Sequence, residues 1–346
     1  MLAFTYQENG KLELRETALP RRKARDDAVL QVLAAPICGT DLRTYRFGSN
    51  RISPPRIVGH EVCGILYDVG SALEGFREGQ RVVVAPAIGC GECPSCRRGA
   101  TNMCDRLQTL GFEIDGGFAG YMLIPAQAFR MGNVLKVPET IPSEQAALAE
   151  PVGCVINGQS FLGIGREDSV VVFGAGFIGC MHAELALRAG ATRVVVVDVS
   201  EHRLEVSGSL LQGVERVNST KQDIRDWIAD WTGGRGADVL VTANPDGRTH
   251  ALAAQAAAKR GRISLFGGVP RNGNALLESN SIHYKELSVY GSHATTPHRV
   301  ATVLQLLENG DLELGKYVSG RYPLERILEA FDSFKDERVL KLVIQP

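Results

Sequence analysis

The sequence predicts an α/β protein in which a doubly wound parallel sheet is joined to a second, β-rich domain. At 346 residues, the chain is long for a single hydrophobic core, which favours two domains. Apolar strands alternate with helical stretches between about residues 166 and 290, as is typical of a parallel sheet with crossover helices. Residues 1 to about 142 instead contain short strand-like runs broken by Gly, Pro and Asp.

The β-rich N-terminal part contains strand-like runs at 12–15, 28–35, 61–69, 81–85 and 118–124. These runs do not alternate with helices, so we predict a compact barrel or an irregular sheet. At Ser143 the pattern changes to a helix that joins the domains, with Ser143 as its N-cap and Glu144 in its first turn. Pro151 and Gly153 predict an interruption or a kink in this helix.

The central part contains six candidate strands, at 170–173, 194–197, 215–217, 239–242, 263–266 and 287–290. The helical stretches between them include 203–212, 222–231 and 249–258. In a doubly wound sheet, the ligand lies beyond the carboxyl ends of the strands. The candidate cofactor contacts that follow strand ends, each of which could equally be a simple turn residue, are Asn244, Phe266, Gly267 and Val269.

The C-terminal part is predicted to contain a helix at 297–309, a second helix at 323–334 and a last strand at 339–344. Pro297 suits a first helical turn, and Gly310 suits a helix end. We expect this tail to return to the first domain. The predicted division is therefore a first domain at 1–150, a nucleotide-binding domain at 151–290 and the return at 291–346.

A dinucleotide-binding fingerprint lies at the start of the central part, where the strand at 170–173 runs into a G-x-G-x-x-G motif. Gly174 permits a tight turn, Gly176 lets the backbone approach a pyrophosphate, and Gly179 lets helix and strand pack closely. Phe177 and Ile178 open the helix whose N-terminus would face the phosphates. The alternative is an ordinary strand–turn–helix unit without a nucleotide.

Asp198 indicates which dinucleotide is bound. It ends the second strand, about twenty residues past the glycines, where a carboxylate accepts hydrogen bonds from the ribose hydroxyls of NAD. The same carboxylate would repel the 2′-phosphate of NADP. Arg203 lies five residues further on and leaves NADP open. NAD is the predicted cofactor.

The composition excludes several classes of protein. A net charge of −1 and a charged fraction of 22% indicate neither a nucleic-acid-binding nor a membrane-binding surface. The basic run at 21–25 is followed by Asp26 and Asp27, which favours a solvated loop. No apolar run approaches about eighteen residues, and the N-terminus lacks the pattern of a signal peptide. We therefore expect a cytoplasmic protein without a membrane span.

Four of the eight cysteines form a C-x2-C-x2-C-x7-C motif, namely Cys90, Cys93, Cys96 and Cys104. Four thiolates in one short loop can surround a tetrahedral Zn²⁺ and leave no position for a substrate, so the predicted site is structural. An iron–sulfur cluster and free cysteines are the alternatives. In ferredoxins, however, the fourth cysteine follows sooner and precedes proline.

A second metal site is indicated by Cys38, His60 and a carboxylate. One Cys, one His and one acidic residue can hold Zn²⁺ and still leave a coordination position for water or an alcohol. Each residue alone is a weak signal, because a lone histidine is often a core residue and a lone cysteine often fills space.

Six motifs follow one another along the chain: Cys38-Gly39-Thr40-Asp41, Gly59-His60-Glu61, the four-cysteine loop, Gly116-Gly117-Phe118-Ala119, Glu150-Pro151 and the nucleotide fingerprint. In this combination and order, they resemble the motifs of the zinc-dependent medium-chain alcohol and polyol dehydrogenases over essentially the full length. The resemblance implies a GroES-like β-barrel catalytic domain split around an inserted Rossmann domain. It also implies a catalytic zinc bound by Cys38 and His60, with Glu61 and Glu150 completing the ligand set, and a homodimer or homotetramer.

The sequence leaves open which glutamate binds the ion directly. Neighbouring residues of an extended strand point to opposite faces, so Glu61 can join His60 only if a turn lies there. Gly59 makes such a turn feasible. Glu150 lies in the joining helix and has no such difficulty.

The mechanism implied is hydride transfer from a secondary alcohol to NAD, with zinc lowering the pKa of the alcohol hydroxyl. By resemblance, Thr40 takes the first proton, although its hydroxyl could equally cap the helix after Cys38. Many relatives have a histidine five residues after the cysteine; here Arg43 replaces it and cannot act as a base. Arg43 instead could contact the cofactor or an anionic group.

The substrate predicted by the resemblance is a polyol, a sugar alcohol or its phosphate. Tyr45 resembles a substrate-pocket aromatic of polyol enzymes, although a core tyrosine fits equally, and Gly291-Ser292-His293 argues against sorbitol itself. The arginines at 43, 46, 51 and 56 could receive a phosphate or form a solvated basic face. The alternatives are a threonine-type amino alcohol and, from another class, a non-catalytic zinc-ribbon nucleic-acid-binding or scaffold protein.

Overall fold

A computed structural model describes residues 1–270, 273 and 275–346 of the chain. The chain forms two compact units, which are considered separately below. Unit 1 consists of Met1–Gly153 together with Ala294–Pro346, and unit 2 consists of Cys154–His293. No helix in the described part of the chain is both long and apolar enough to cross a membrane.

The strands, in chain order, are β1 (Leu2–Tyr6), β2 (Leu12–Glu16), β3 (Ala28–Pro36), β4 (Arg56–Ile57), β5 (Cys63–Val69), β6 (Arg81–Val84), β7 (Ala87–Ile88), β8 (Gln108–Thr109), β9 (Tyr121–Ile124), β10 (Val134–Lys136), β11 (Ser169–Phe173), β12 (Arg193–Asp198), β13 (Val214–Asn218), β14 (Ala237–Thr242), β15 (Ala257–Leu265), β16 (Ser288–Gly291), β17 (Val318–Pro323) and β18 (Lys341–Gln345).

The α-helices are α1 (Gly39–Phe47), α2 (Pro94–Arg97), α3 (Ala126–Arg130), α4 (Ser143–Ala147), α5 (Ala149–Gln159), α6 (Phe177–Arg188), α7 (Glu201–Leu210), α8 (Ile224–Trp231), α9 (Gly247–Ala256), α10 (Ser279–Tyr284), α11 (Pro297–Glu308) and α12 (Ile327–Ser333). Single 3₁₀ turns lie at Thr101–Met103, Gly315–Tyr317 and Leu324–Arg326.

Unit 1 is built around a mostly antiparallel sheet in the order β10-β6-β5-β3-β18-β17, with β9 also paired to β3. The C-terminal strand β18 pairs with β3, with Ile344 opposite Ala35. Helix α12 contributes Phe331, whose ring lies 5.4 Å from that of Phe4 between centroids. The last segment of the chain is therefore part of the core of unit 1, which brings residues such as Lys341 next to elements formed by the first half of the chain.

Unit 2 contains the predicted doubly wound sheet, so the predicted fold class is confirmed. All six strands are parallel, in the order β13-β12-β11-β14-β15-β16. Strand β11 is buried at every position because it lies in the middle of the sheet. Strand order reverses at β11, between β12 and β14, and cofactors bind at such a switch point.

The fingerprint glycines explain the turn between β11 and α6. Gly174 has a φ of 115°, which non-glycine residues rarely adopt. A Cβ atom at Gly179 would overlap the carbonyl oxygen of Gly174, whereas a Cβ at Gly176 would meet no atom within 4 Å. Gly179 is thus needed for packing, and Gly176 leaves open space at the N-terminus of α6.

Gly179→Ala is expected to lower the free energy of unfolding by about 1 to 3 kcal/mol, because backbone must move to accept the methyl group. Urea unfolding followed by circular dichroism measures this loss. Gly165→Ala is the matched control in the same unit, since a Cβ there meets nothing within 4 Å. Equal stability of the two variants would contradict the packing role of Gly179.

Several predicted boundaries are wrong. Helix α4 has Pro142 as its N-cap, and Ser143 is its first helical residue without a capping side chain. The interruption in the joining helix falls at Leu148, not at Pro151 or Gly153, because Pro151 lies in the first turn of α5, where its missing N–H costs nothing.

Four further differences concern strand and helix ends. The strand predicted at 61–69 begins only at Cys63, and that predicted at 118–124 begins only at Tyr121. The helix predicted at 249–258 ends at Ala256, where β15 begins at once. The helix predicted at 323–334 starts later, because Pro323 ends β17 and a 3₁₀ turn precedes α12.

Candidate functional site

Unit 1 brings three potential metal ligands together. The ligand atoms of Cys38, His60 and Glu61 all lie within 4.8 Å of one another. His60 and Glu61 are buried, and Cys38 is half-buried. A sulfur, a nitrogen and an oxygen ligand suit Zn²⁺, and three protein ligands leave a fourth position for a substrate.

The backbone at Gly59 explains how two adjacent residues reach the same site. Gly59 has a φ of 91°, and a Cβ there would lie 2.8 Å from the Phe118 ring. Residues 59–62 are not in a strand, since β5 begins at Cys63. His60 and Glu61 therefore escape the alternation of an extended strand, which was the difficulty expected for Glu61.

Two atoms of this cluster have unsatisfied bonding capacity. Nδ1 of His60 and Oε2 of Glu61 are buried and have no hydrogen-bond partner among the described residues. Buried polar atoms are nearly always hydrogen-bonded, and coordination to a cation is another way to satisfy them. The donor set and these atoms therefore fit a bound Zn²⁺.

Asp41 connects two of the candidate ligands. Its Oδ2 accepts a hydrogen bond of 2.9 Å from the backbone N–H of Cys38, and its Oδ1 lies 3.6 Å from Nδ1 of His60. Burial lowers the pKa of His60, but the charges of Asp41 and Cys38 more than offset this effect and the net pKa is raised. His60 is thus surrounded by negative charge, which favours a bound cation.

Lys341 forms a buried ion pair with Glu61. Its Nζ donates to Oε1 of Glu61 at 2.7 Å, and the two side chains are 5% and 0% exposed. Burial raises the pKa of Glu61, and Lys341 opposes that rise. Burial lowers the pKa of Lys341, but Glu61 and Cys38 outweigh it and the net pKa is raised. Glu61 therefore faces Lys341 with one oxygen and leaves the other free.

Glu150 and Thr40 are not among the clustered ligand atoms. Glu150 is buried in the first turn of α5, outside the set of ligand atoms within 4.8 Å, and its charge acts on Glu61 and Lys341. Thr40 is the second residue of α1 and half-buried. The N-cap of α1 is Cys38, so the alternative capping role for Thr40 is wrong.

The four cysteines also come together in unit 1. The Sγ atoms of Cys90, Cys93, Cys96 and Cys104 all lie within 4.8 Å of one another. The Cys93 and Cys104 Sγ atoms are 3.8 Å apart, which matches the edge of about 3.8 Å of a tetrahedron with zinc–sulfur bonds of about 2.3 Å. Backbone N–H groups of Glu92 and Cys93 lower the pKa of Cys90 to about 6 and so favour its thiolate. The geometry fits a closed Zn²⁺ site.

In unit 2, Asp198 stabilises the turn between β11 and α6 by accepting hydrogen bonds from backbone N–H groups. Its Oδ2 accepts from the backbone N–H of Ala175 at 2.7 Å, and its Oδ1 accepts from the N–H of Ser200 at 2.9 Å. Phe177 and Ile178 begin α6 directly after the open space at Gly176. The backbone N–H of Arg203, in α7, donates to Oγ of Ser200, the N-cap of that helix.

The structure brings two of the other candidate cofactor contacts together at the carboxyl ends of β14 and β15. A Cβ at Gly267 would meet the backbone of Asn244, and Oδ1 of Asn244 accepts from the Thr249 hydroxyl at 2.7 Å. Phe266 contacts the buried His182 with ring centroids 4.6 Å apart. Val269 is half-buried in the segment that follows. All of these residues lie beyond strand ends, where a cofactor is expected.

Comparisons with known proteins also indicate a zinc-binding dehydrogenase. The family model for the alcohol dehydrogenase GroES-like domain matches residues 24–139, and that for zinc-binding dehydrogenases matches residues 178–309. The chain is 34% identical over 340 residues to L-threonine 3-dehydrogenase of Pyrococcus horikoshii, covering 96% of this chain and 94% of the relative. The chain belongs to the zinc-dependent medium-chain alcohol dehydrogenases.

Solved structures of this family have the same fold. The alcohol dehydrogenase TADH of Thermus sp. ATN1 is 28% identical, with a TM-score of 0.90 over 100% of this chain and 99% of that one. A zinc-binding dehydrogenase of Sinorhizobium meliloti, solved with NADP bound, is 27% identical, with a TM-score of 0.91 and coverage of 100% and 99%. A GroES-like domain and a Rossmann domain are therefore shown for this dehydrogenase.

The two residues predicted to contact substrate have different surroundings in this dehydrogenase. Tyr45 packs against the core of unit 1, with its ring 5.0 Å from that of Phe331. This contact accounts for Tyr45 by core packing, the alternative that the sequence left open. Arg43 is exposed on α1.

Sequence reasoning missed Asp41 and Lys341 as parts of the site. Asp41 has a local signal, since an acidic residue three positions after an N-cap forms a capping box. Lys341 has a weaker signal, a single lysine inside the apolar run predicted as the last strand. Its partner lies 280 positions away, which no local pattern indicates.

Cys96→Ser is expected to reduce the metal content of the dehydrogenase from about two zinc ions per chain to about one. Removing a ligand from a closed four-sulfur site releases the ion, and the melting temperature should fall by several degrees. Elemental analysis and thermal unfolding measure both effects. Cys63→Ala is the control, since this buried cysteine belongs to neither cluster. Two ions retained by Cys96→Ser would contradict a four-cysteine zinc site.

Proposed function

We propose that this dehydrogenase oxidises a secondary alcohol with NAD, using Zn²⁺ held by Cys38, His60 and Glu61. The observation that supports this proposal most directly is the clustering of those three ligand atoms within 4.8 Å in unit 1. Zn²⁺ in such a site supplies a Lewis acid that makes an alcohol hydroxyl easier to deprotonate. We assign the substrate and metal chemistry to unit 1 and the cofactor to unit 2.

The neighbouring residues have orienting and proton-handling roles in this proposal. Asp41 fixes the start of α1 through the Cys38 N–H, and its negative charge 3.6 Å from the His60 imidazole favours a cation at the site. Lys341 holds one oxygen of Glu61, and Glu150 adds negative charge beside both. Thr40 is the candidate to accept the hydroxyl proton, and its hydroxyl donates its own proton to water in the same step, so that no charge stays on Thr40. Arg43 cannot relay it further, because a guanidinium stays protonated.

NAD is the proposed cofactor. The open space at Gly176 lets a pyrophosphate approach the N-terminus of α6, and the Asp198 carboxylate ends β12 beside it. A negative charge at this place opposes a 2′-phosphate, although the relative from Sinorhizobium meliloti was solved with NADP. Comparing kcat/KM for NAD and NADP tests the choice, and a preference for NADP would refute it.

A threonine-type amino alcohol is the proposed substrate class. Its support is the identity of 34% to the threonine dehydrogenase of Pyrococcus horikoshii across nearly the whole of both chains. Polyols and sugar-alcohol phosphates remain the second candidate, supported by the arginines at the end of α1 and in the loop after it. We also propose a homodimer or homotetramer, which size-exclusion chromatography with light scattering can measure.

The test is a panel of L-threonine, polyols and sugar-alcohol phosphates with zinc-loaded protein, followed by NADH absorbance. We expect NAD reduction with at least one secondary alcohol and about two zinc ions per chain. A non-catalytic zinc-ribbon protein would hold only the ion of the four cysteines. Full zinc loading without turnover of any alcohol would refute the proposed function.

A further inference from the structure

We propose that Arg51 binds an anionic group of the alcohol substrate, a carboxylate or a phosphate, beside the candidate catalytic metal site. This inference rests on the proposed function, because it concerns the substrate of the same site. It narrows the substrate class to secondary alcohols that carry a negative charge close to the reacting hydroxyl.

The position of Arg51 follows from two contacts. Its guanidinium carbon lies 4.8 Å from the centroid of the Phe112 ring. The Phe112 ring in turn lies 5.8 Å from the His60 imidazole, again between centroids. The sum of these two distances is an upper limit for the separation of the guanidinium carbon from the His60 ring. Arg51 is therefore within reach of a small substrate bound at the cluster.

Phe112 holds Arg51 close to the candidate metal site. It is buried in the core of unit 1, and one ring contacts both the candidate ligand His60 and the exposed Arg51. A cation over an aromatic ring is attracted to the face of the ring. That contact leaves the N–H donors of a guanidinium available for a carboxylate or phosphate, which they bind in pairs.

The charge of Arg51 is not neutralised within the described chain. No acidic side chain there pairs with its guanidinium, and the backbone N–H of Arg51 donates to Oγ of Ser49. Arg56 differs, since its Nη1 pairs with Oδ1 of Asp115 at 2.9 Å. Of these two arginines, Arg51 is thus the one left to bind an external anion.

The local charges explain why a fixed cation is needed. The charges of Cys38 and Glu61 cancel that of a bound Zn²⁺, and Asp41 adds a negative charge beside them, so the metal site itself has no net attraction for an anionic substrate. Lys341 does not provide a positive charge for an anionic substrate, because its ammonium group is buried and paired with Glu61. Arg51 is exposed and supplies a positive charge next to the site.

The experiment compares substrates with and without the anionic group. L-Threonine is paired with L-threoninamide for a carboxylate, and sn-glycerol 1-phosphate is paired with glycerol for a phosphate. With zinc-loaded Arg51→Met, we expect kcat/KM for the preferred anionic member to fall about 10- to 100-fold, mainly through KM, because charge-assisted hydrogen bonds are lost. The member of the same pair without the anionic group should change by less than about twofold.

Arg77→Met is the matched control, since Arg77 is exposed in the loop between β5 and β6 and loses the same charge. It should leave both members of each pair unchanged. Arg51→Lys should retain part of the preference, because charge remains but paired donors are lost. An equal effect of Arg51→Met on the members with and without the anionic group would overturn the proposal and leave Arg51 as a packing residue on Phe112.

A binding measurement separates this inference from the proposed function. Calorimetric titration of L-threonine and of sn-glycerol 1-phosphate into zinc-loaded protein needs no turnover. Binding that weakens about 10- to 100-fold in Arg51→Met supports the inference even if no alcohol is oxidised. If neither anion binds the unaltered protein, or if Arg51→Met binds it equally, the inference fails whatever the outcome for NAD reduction. The pair that responds identifies carboxylate or phosphate as the ligand.

Discussion

Replacing Cys38 with serine is expected to lower kcat/KM for the alcohol substrate at least about a thousandfold. A serine hydroxyl is a much poorer ligand for Zn²⁺ than a thiolate, and the metal supplies several kcal/mol of transition-state stabilisation. The ion at the four cysteines should stay, so the metal content should fall from about two ions per chain to about one. Steady-state kinetics and elemental analysis on the same preparation measure both quantities.

The fold should survive this substitution, which makes the result interpretable. Cys38 is half-buried, its backbone N–H donates to Asp41 in serine as well, and a serine hydroxyl can take the place of the thiol in the capping box of α1. Cys63→Ala controls for the loss of a thiol elsewhere in unit 1. Wild-type turnover by Cys38→Ser would remove Cys38 from the proposed chemistry, and an unfolded variant would show Cys38 to be needed for the fold.

Cys38→Ser and Cys96→Ser together separate the two metal sites. The first should abolish turnover at nearly unchanged stability, and the second should reduce stability and release the other ion. This difference follows from the donor sets, because four sulfurs close a coordination sphere and three mixed ligands leave it open. Identical phenotypes for the two variants would argue against two distinct sites.

The sheet of unit 2 could be predicted from sequence because its determinants are local. Each strand is a short apolar run, and Gly174, Gly176 and Gly179 mark the turn after the first of them. The order of the six parallel strands then follows from the handedness of their crossover connections and from the switch point.

The site in unit 1 depends on features that local patterns do not show. Gly59 sets a backbone turn that lets His60 and Glu61 face one cluster, whereas the sequence alone suggests a strand from residue 61. The N-cap of α1 is Cys38 rather than a hydroxyl residue, with Asp41 as its reciprocal partner. Capping and ligand geometry here depend on tertiary contacts, which override the usual residue preferences.

Lys341→Met is expected to lower the free energy of unfolding of the zinc-free protein by about 3 to 5 kcal/mol. The substitution leaves Glu61 fully buried without the ammonium group that now lies 2.7 Å from its Oε1. With zinc present the loss should be smaller, because the metal ion can balance the same carboxylate. Denaturant unfolding with zinc and with a chelator measures both values.

Lys335→Met is the matched control for this prediction, because Lys335 pairs with Asp332 at 2.9 Å on the surface of unit 1, where its side chain is 75% exposed. An exposed pair contributes about 0 to 1 kcal/mol, so this variant should unfold almost like the wild type. The double variant Lys341→Met with Glu61→Gln should recover part of the stability, since no charge is then left buried. Similar losses for Lys341→Met and Lys335→Met would mean that the Glu61 carboxylate is neutralised by something other than Lys341.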